Sequence, residues 1–146
     1  MLGVTDVEGQ GIIITLKDPV FSSTFYDNDE ADAKQTVNYI ELIQIINYLK
    51  AAGAEAISIN GERVVGKTDI VQISVSPSYI KMNSQTISQP FEIKAIGDPD
   101  YLKASLIGTG YVDRIKGWGQ SIEFQEEKRL TINKYSGNLE AKYIEN

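Results

Sequence analysis

The sequence predicts an α+β domain, with helices covering one face of a mainly antiparallel sheet, and three observations carry that prediction. Short runs of alternating apolar and polar residues, rich in β-branched side chains, recur along the chain. Two runs with helical spacing separate them. Within the strand-like runs the apolar residues share one parity: Ile12, Ile14 and Leu16; Ile57 and Ile59; Phe91, Ile93 and Ala95; Ile122 and Phe124. The opposite parity reads Thr15, Lys17, Ser58, Glu92, Lys94, Glu123 and Gln125. One apolar face and one polar face call for a single helical layer over a sheet left open on its other side. Strand, helix, strand, strand, helix, strand is the ferredoxin-like split β-α-β sandwich. It is expected as a single domain over residues 1–146, with an inserted β-hairpin region and residues 134–146 as a loose tail.

The first strand spans Gly11 to Lys17 and is stopped by Asp18-Pro19. Residues 20–35 have no clear period and contain Asp27, Asp29, Glu30 and Asp32, the mark of a long connection or of a helix entry capped by Asp27 or Asn28. From about Thr36 to Ala52 the spacing is helical. Tyr39, Leu42, Ile46 and Leu49 form its apolar stripe, widened by Ile43 and Ile45, and Gly53 supplies the left-handed stop.

Glu55 to Asn60 is the next strand, turning at Asn60-Gly61, the strongest short hairpin signal. A β-rich middle follows over 69–75, 79–82 and 86–87, punctuated by Pro77 and Pro90. Phe91 to Ile96 is a strand, and Asp98-Pro99-Asp100 opens a second helix that runs to about Ile107. Gly108-Thr109-Gly110 breaks it. A short helix from Tyr111 to Trp118 ends at Gly119, and 121–125 with 130–132 read as one bulged strand or a hairpin.

The 146 residues carry a net charge of −6, with lysine and arginine scattered rather than grouped. That balance argues against nucleic acid and against an anionic membrane surface, both of which need a basic patch. Without Cys or His the chain has no disulfide, thiolate zinc site, cysteine nucleophile or Ser-His triad.

Two motifs match formally and fail on context. Gly61, Gly66, Lys67 and Thr68 satisfy G-x-x-x-x-G-K-[ST], but a phosphate loop needs a helix starting at the lysine, whereas 69–75 alternates as a strand. Ser78 and Lys81 match S-x-x-K, whose chemistry needs both on one side of a helix; on a strand they point apart. Asp27, Asp29 and Asp32 resemble a calcium loop, but Asp32 stands where that loop needs glycine. Neither a metal nor a cofactor is expected. Arg63 reads as the partner of a carboxylate such as Asp69 or Asp98, and Trp118 as a plug at the core edge.

Three blocks then stand out in order: Gly3 to Ile12 (GVTDVEGQGI), Leu49 to Arg63 (LKAAGAEAISINGER) and Ile93 to Leu102 (IKAIGDPDYL). Together they resemble the bacterial domain of unknown function 881 family, the likeness covering most of the chain up to about Trp118. The resemblance implies a ferredoxin-like domain outside the cytoplasmic membrane, preceded by a transmembrane helix and a coiled coil, in Gram-positive bacteria and relatives. Some members sit beside cell-division genes, and the family offers no established catalytic residues to carry over. Membrane attachment is therefore expected only through an N-terminal anchor outside this sequence.

The functional expectation is a non-enzymatic interaction domain of an envelope protein, meeting a protein partner or a second copy of itself. Thr15, Lys17, Glu92 and Lys94 form its expected interaction face, with exposed strand edges beside them. The alternative is a small-ligand or cell-wall-polymer binder, with Asn60, Arg63 and Asp98 as polar contacts.

Overall fold

Eleven elements follow one another in the computed structural model, which describes residues 3–20 and 35–136. They are β1 (Val7–Lys17), α1 (Tyr39–Ala51), β2 (Ala56–Ile59), β3 (Glu62–Arg63), β4 (Ile70–Ser74), β5 (Tyr79–Met82), β6 (Gln85–Ser88), β7 (Phe91–Ile96), α2 (Pro99–Gly108), α3 (Tyr111–Gly117) and β8 (Ser121–Ile132). The expectations placed on Asp27, Asn28, Asp29 and Asp32, and on the tail beyond residue 136, lie outside the described residues.

Five strands form one antiparallel sheet in the order β3-β2-β7-β1-β8. The fold is therefore α+β with a mainly antiparallel sheet, as the strand parity requires. Ile12, Ile14 and Leu16 of β1 are fully buried and pack in one core with Ile57 and Ile59, Phe91 and Ile93, and the inner faces of all three helices. The inserted region is a sheet of its own, β4-β5-β6, rather than an extension of the first, and its Ile80, Met82 and Ile87 join the same core.

Local signals explain the boundaries. Asn60 and Gly61 both hold positive φ, 48° and 81°, which is what a two-residue turn between twisted strands demands. Helix α1 starts at Tyr39, three residues later than its periodicity suggests, because the Asn38 side chain caps it, accepting from Glu41 N at 3.0 Å. Its buried stripe is Leu42, Ile45, Ile46 and Leu49; Tyr39 and Ile43, expected inside, face outward. Asp98 caps α2 by accepting from the backbone N–H of Asp100 at 3.0 Å and of Tyr101 at 3.3 Å. Asp98→Ala should lower the stability by about 1 kcal/mol in urea denaturation, and Asp98→Asn should recover most of it.

The back of the main sheet departs from the expected open polar face. Strand β8 is one continuous strand with a bulge: Gly11 pairs Glu127 but Gly9 pairs Leu130, so three steps along β8 match two along β1. The extra residue inverts the parity of everything beyond it. Ile122 and Phe124 face the helices, whereas Leu130 and Ile132 face the back. There they bury Ala56 and Ile96, with Val7 and Ile13 beside them, in a second small core. β1 is correspondingly longer than its apolar run, beginning at Val7, and Gly9 and Gly11 sit where it carries this second layer.

Candidate functional site

Arg63 is the first of the polar residues singled out by the sequence, and its surroundings are not those of a surface ion pair. It lies on β3 opposite Ser58, is 4% exposed, and reaches across the back of the sheet. Its Nη1 donates to the carbonyl oxygens of Thr5 at 3.0 Å and Asn133 at 3.1 Å. These carbonyls lie just outside the paired ends of β1 and β8, so the guanidinium clasps both termini of that ribbon to β3. Burial lowers its pKa, and the nearby Asp6 charge opposes that shift. Its side-chain hydrogen bonds go to these backbone carbonyls, not to the Asp69 or Asp98 carboxylates.

Asn60 is likewise committed. Its Nδ2 donates to Ser88 O at 2.9 Å and its Oδ1 accepts from Glu92 N at 2.7 Å, pinning the β2–β3 turn to the entry of β7. Asp98 caps α2 beyond the other end of β7. Because Ile59 pairs Ile93 while Ala56 pairs Ile96, Asn60 and Asp98 lie past opposite ends of the β2–β7 ladder. The three residues do not converge. Asp98 instead borders a groove lined by Asp100, Glu126, Glu127 and Lys128, and Lys67, Lys81 and Tyr135 line another. Among the described residues no group of three or more acids is placed to hold a metal.

The motif residues sit as their strands dictate. Lys67 and Thr68 lie in the turn before β4, and Thr68 Oγ1 accepts from Val65 N at 2.8 Å. Ser78 is buried with its hydroxyl donated to Val37 O, while Lys81 points outward from β5.

The residues of the expected interaction face sit together on the back of the sheet. Thr15 pairs Glu92 on one side and Glu123 on the other, and Lys94 pairs Ile13 at the border of the second small core, so Thr15, Glu92 and Lys94 share the back of the sheet. Lys17 and Glu92 are exposed; Thr15 and Lys94 are half-buried, and Lys94 lies 3.7 Å from Glu92 in a surface pair worth little. The face is mixed in charge and has no apolar centre.

A different surface has one. β4 is an edge strand among the described residues; its Val71 and Ile73 are each 54% exposed, and Val75, just past its end, is 65% exposed. Tyr79 on β5 and Tyr39, Ile40 and Ile43 on α1 are exposed as well. The helix start is tied to this edge by Tyr39 N donating to Gln72 Oε1 at 2.9 Å and by Thr36 Oγ1 donating to Val75 O at 2.5 Å. The sequence signal for it was present: four apolar residues over 70–75 are more than one buried face needs.

One buried acid also escaped the sequence reading. Glu41 on α1 is 2% exposed, its Oε1 accepts from Gln120 Nε2 at 3.1 Å, and burial raises its pKa from 4.5 to about 7. The nearby Asp18 charge raises it further, while the Gln120 and Asn38 hydrogen bonds and Arg114 oppose the shift. Its heptad-like position resembles that of its apolar neighbours, which is why periodicity alone does not reveal it.

The family model "Bacterial protein of unknown function (DUF881)" matches residues 1–145. Among similar proteins, YlxX of Bacillus subtilis is 30% identical over 145 residues, covering 97% of this chain and 58% of YlxX. YlxW of the same organism is 29% identical over 90% of this chain and 54% of its own length. Rv1825 of Mycobacterium tuberculosis is 31% identical over 90% of this chain and 41% of its own length. The chain thus spans about half the length of these curated relatives. The crystal structure of an uncharacterized conserved protein from Mycobacterium tuberculosis superposes with a TM-score of 0.75 at 29% identity, covering 97% of this chain and 91% of that one.

Proposed function

We propose that this chain, which belongs to the DUF881 family of bacterial proteins of unknown function, is a non-enzymatic protein-interaction domain that receives a strand from a protein partner along β4. The observation that carries the reading is the β4 edge, unpaired among the described residues, with Val71, Ile73 and Val75 turned to solvent. Natural sheets guard their edges with charge, proline or bulges; residues 70–74, IVQIS, contain neither charge nor proline, and the irregularity between Gln72 and Ser74 leaves the stretch from Ile70 to Gln72 regular. An added strand gains main-chain hydrogen bonds from the edge and apolar contacts from its alternate side chains. Tyr79, Tyr39 and Ile40 give the arriving chain further apolar surface.

The setting is read from the family resemblance: the outer side of the cytoplasmic membrane, within a longer anchored envelope protein, with division as the process to examine. Among the described residues no helix is long and apolar enough to cross a membrane. The relatives' greater length leaves room for other segments. The strand order β2-β7-β1-β8, with every neighbour antiparallel, supports the ferredoxin-like arrangement in particular. The small-ligand alternative has less behind it, because Asn60, Arg63 and Asp98 are spent on turn, clasp and cap.

A photoreactive side chain at position 73 should capture a protein in cells, whereas one at position 94 on the back face should not. Ile73→Lys should abolish binding of the captured protein while changing stability by less than about 0.5 kcal/mol, since the site is exposed. Capture at 94 with none at 73 would move the interface to the Lys17 and Lys94 face. Capture of a second copy at 73 would make the edge a self-association site.

A further inference from the structure

Two buried oxygen atoms without a hydrogen-bond partner belong to one pair of side chains: Glu41 Oε2 and Gln120 Oε1. The same two side chains already share one bond, Gln120 Nε2 donating to Glu41 Oε1 at 3.1 Å. A carboxylic acid and a primary amide have complementary edges: amide N–H to acid carbonyl, acid O–H to amide carbonyl. One proton on Glu41 Oε2 therefore satisfies both orphaned oxygens at once. A carboxylate leaves both unsatisfied, at a desolvation cost that burial makes large.

We propose that Glu41 and Gln120 form a proton-dependent latch, closed when Glu41 is a neutral acid, that ties the backbone leading into α1 to the junction of α3 with β8. Gln120 is the bridge. Its Nε2 also donates to Gln35 O at 2.9 Å, and Gln35 N donates to Trp118 O at 3.0 Å. Gln35 thus hangs from the α3–β8 junction by both of its backbone groups. Loss of the proton keeps the Gln120 N–H bond to Oε1 but leaves Oε2 and the Gln120 carbonyl oxygen as two facing acceptors, so that one of the pair's two edges opens and the amide is held on one side only. The latch then loosens its hold on Gln35.

Among the described residues, the groups facing Glu41 do not offset the cost of burying its charge. From the end of β1 comes Asp18, whose negative charge favours the neutral acid. From α3 come Tyr111, whose hydroxyl donates to Glu41 O at 3.1 Å, and Arg114, which donates to Gln44 Oε1 at 2.9 Å and lies 5.5 Å from the centre of the Tyr111 ring. Arg114 favours the carboxylate, but less than burial opposes it. Tyr48 packs edge-on against Tyr111, with ring centres 5.8 Å apart.

The direction of the pH dependence follows. Folding raises the Glu41 pKa from 4.5 to about 7, so the folded chain holds the proton more tightly than the unfolded one. The stability it contributes is full below the unfolded value, falls as pH rises through that window, and is gone above the folded value. Glu41→Gln keeps the closed pattern at every pH, because its amide N–H replaces the acid O–H.

Trp118, the single tryptophan, reports on the junction. In the intact chain its emission should titrate with a midpoint near 7, together with rising exchange of the Gln35 amide. Glu41→Gln should remove both transitions and the fall in melting temperature between about pH 5 and about pH 8. Asp18→Asn should keep the transition but shift it to lower pH, because the Asp18 charge raises the Glu41 value. The carbon-13 titration of the Glu41 carboxyl in the unsubstituted chain needs no variant to fold. An ordinary carboxylate value there, or a raised value with Trp118 and Gln35 silent, would overturn the latch.

Discussion

Gly11→Ala is expected to destabilise the domain by about 3 kcal/mol or more, at or beyond the upper end of ordinary overpacking. A Cβ at position 11 would lie 2.1 Å from the Ala95 carbonyl oxygen, 3.0 Å from its carbon and 3.1 Å from Ile96 Cα. All three atoms are backbone of β7, the neighbour of β1 in the middle of the sheet, and Gly11 pairs Ile96 directly. No side chain can swing aside; the β1–β7 ladder must open or β1 must shift. The same crossing carries Gly97 N to Gln10 O at 2.9 Å, so a shift costs that bond too. Urea denaturation measures the loss, with Gly66→Ala as the control, since a Cβ there meets nothing within 4 Å. Equal midpoints for Gly11→Ala and the unsubstituted chain would show that β1 does not run this close to β7.

Arg63→Met should cost about 2–3 kcal/mol, the scale of buried hydrogen bonds from a charged donor. Methionine keeps most of the stem's contacts but leaves the Thr5 and Asn133 carbonyls without their donor. The effect should be local before it is global. Amide exchange should quicken first around Val7 and Ile132, where β1 and β8 meet the second small core. Arg63→Lys should recover only part, because a more strongly hydrated ammonium on a shorter, flexible stem replaces the Nη1 group held in the guanidinium plane between the two carbonyls. Uniform protection of the β1–β8 ends in Arg63→Met would remove the clasp from the account.

Much of the main sheet was legible because its signals are local. Phe91 to Ile96 alternates cleanly between punctuating residues, and the strand has those bounds. Asn60-Gly61 announces a turn that few other dipeptides can make, and Asp98-Pro99 announces a cap and a first helical residue. These depend on φ preferences and on hydrogen bonds between residues close in sequence. The candidate site was less legible. Arg63 finds its partners 58 and 70 residues away. β4 is an edge only because β5 pairs on one side of it and nothing among the described residues on the other. The outward Ile43 was misplaced because a helical stripe widened in both directions does not say which flank the sheet covers.

What the sequence determined by itself is the alternation of its strands, the caps and turns between them, and hence an α+β domain without cysteine or histidine chemistry. Tertiary structure decided what lies on the second side of the sheet. One extra residue in β8 reverses the facing of Leu130 and Ile132, and the register that creates it exists only when β1 and β8 are paired. Tertiary structure likewise decided the state of Glu41, whose proton affinity depends on being enclosed by α3, the end of β1 and Gln120. Parity and capping are properties of neighbouring residues along the chain. Burial and register belong to segments that meet only on folding, and at those meetings this chain placed its clasp, its second core and its buried acid.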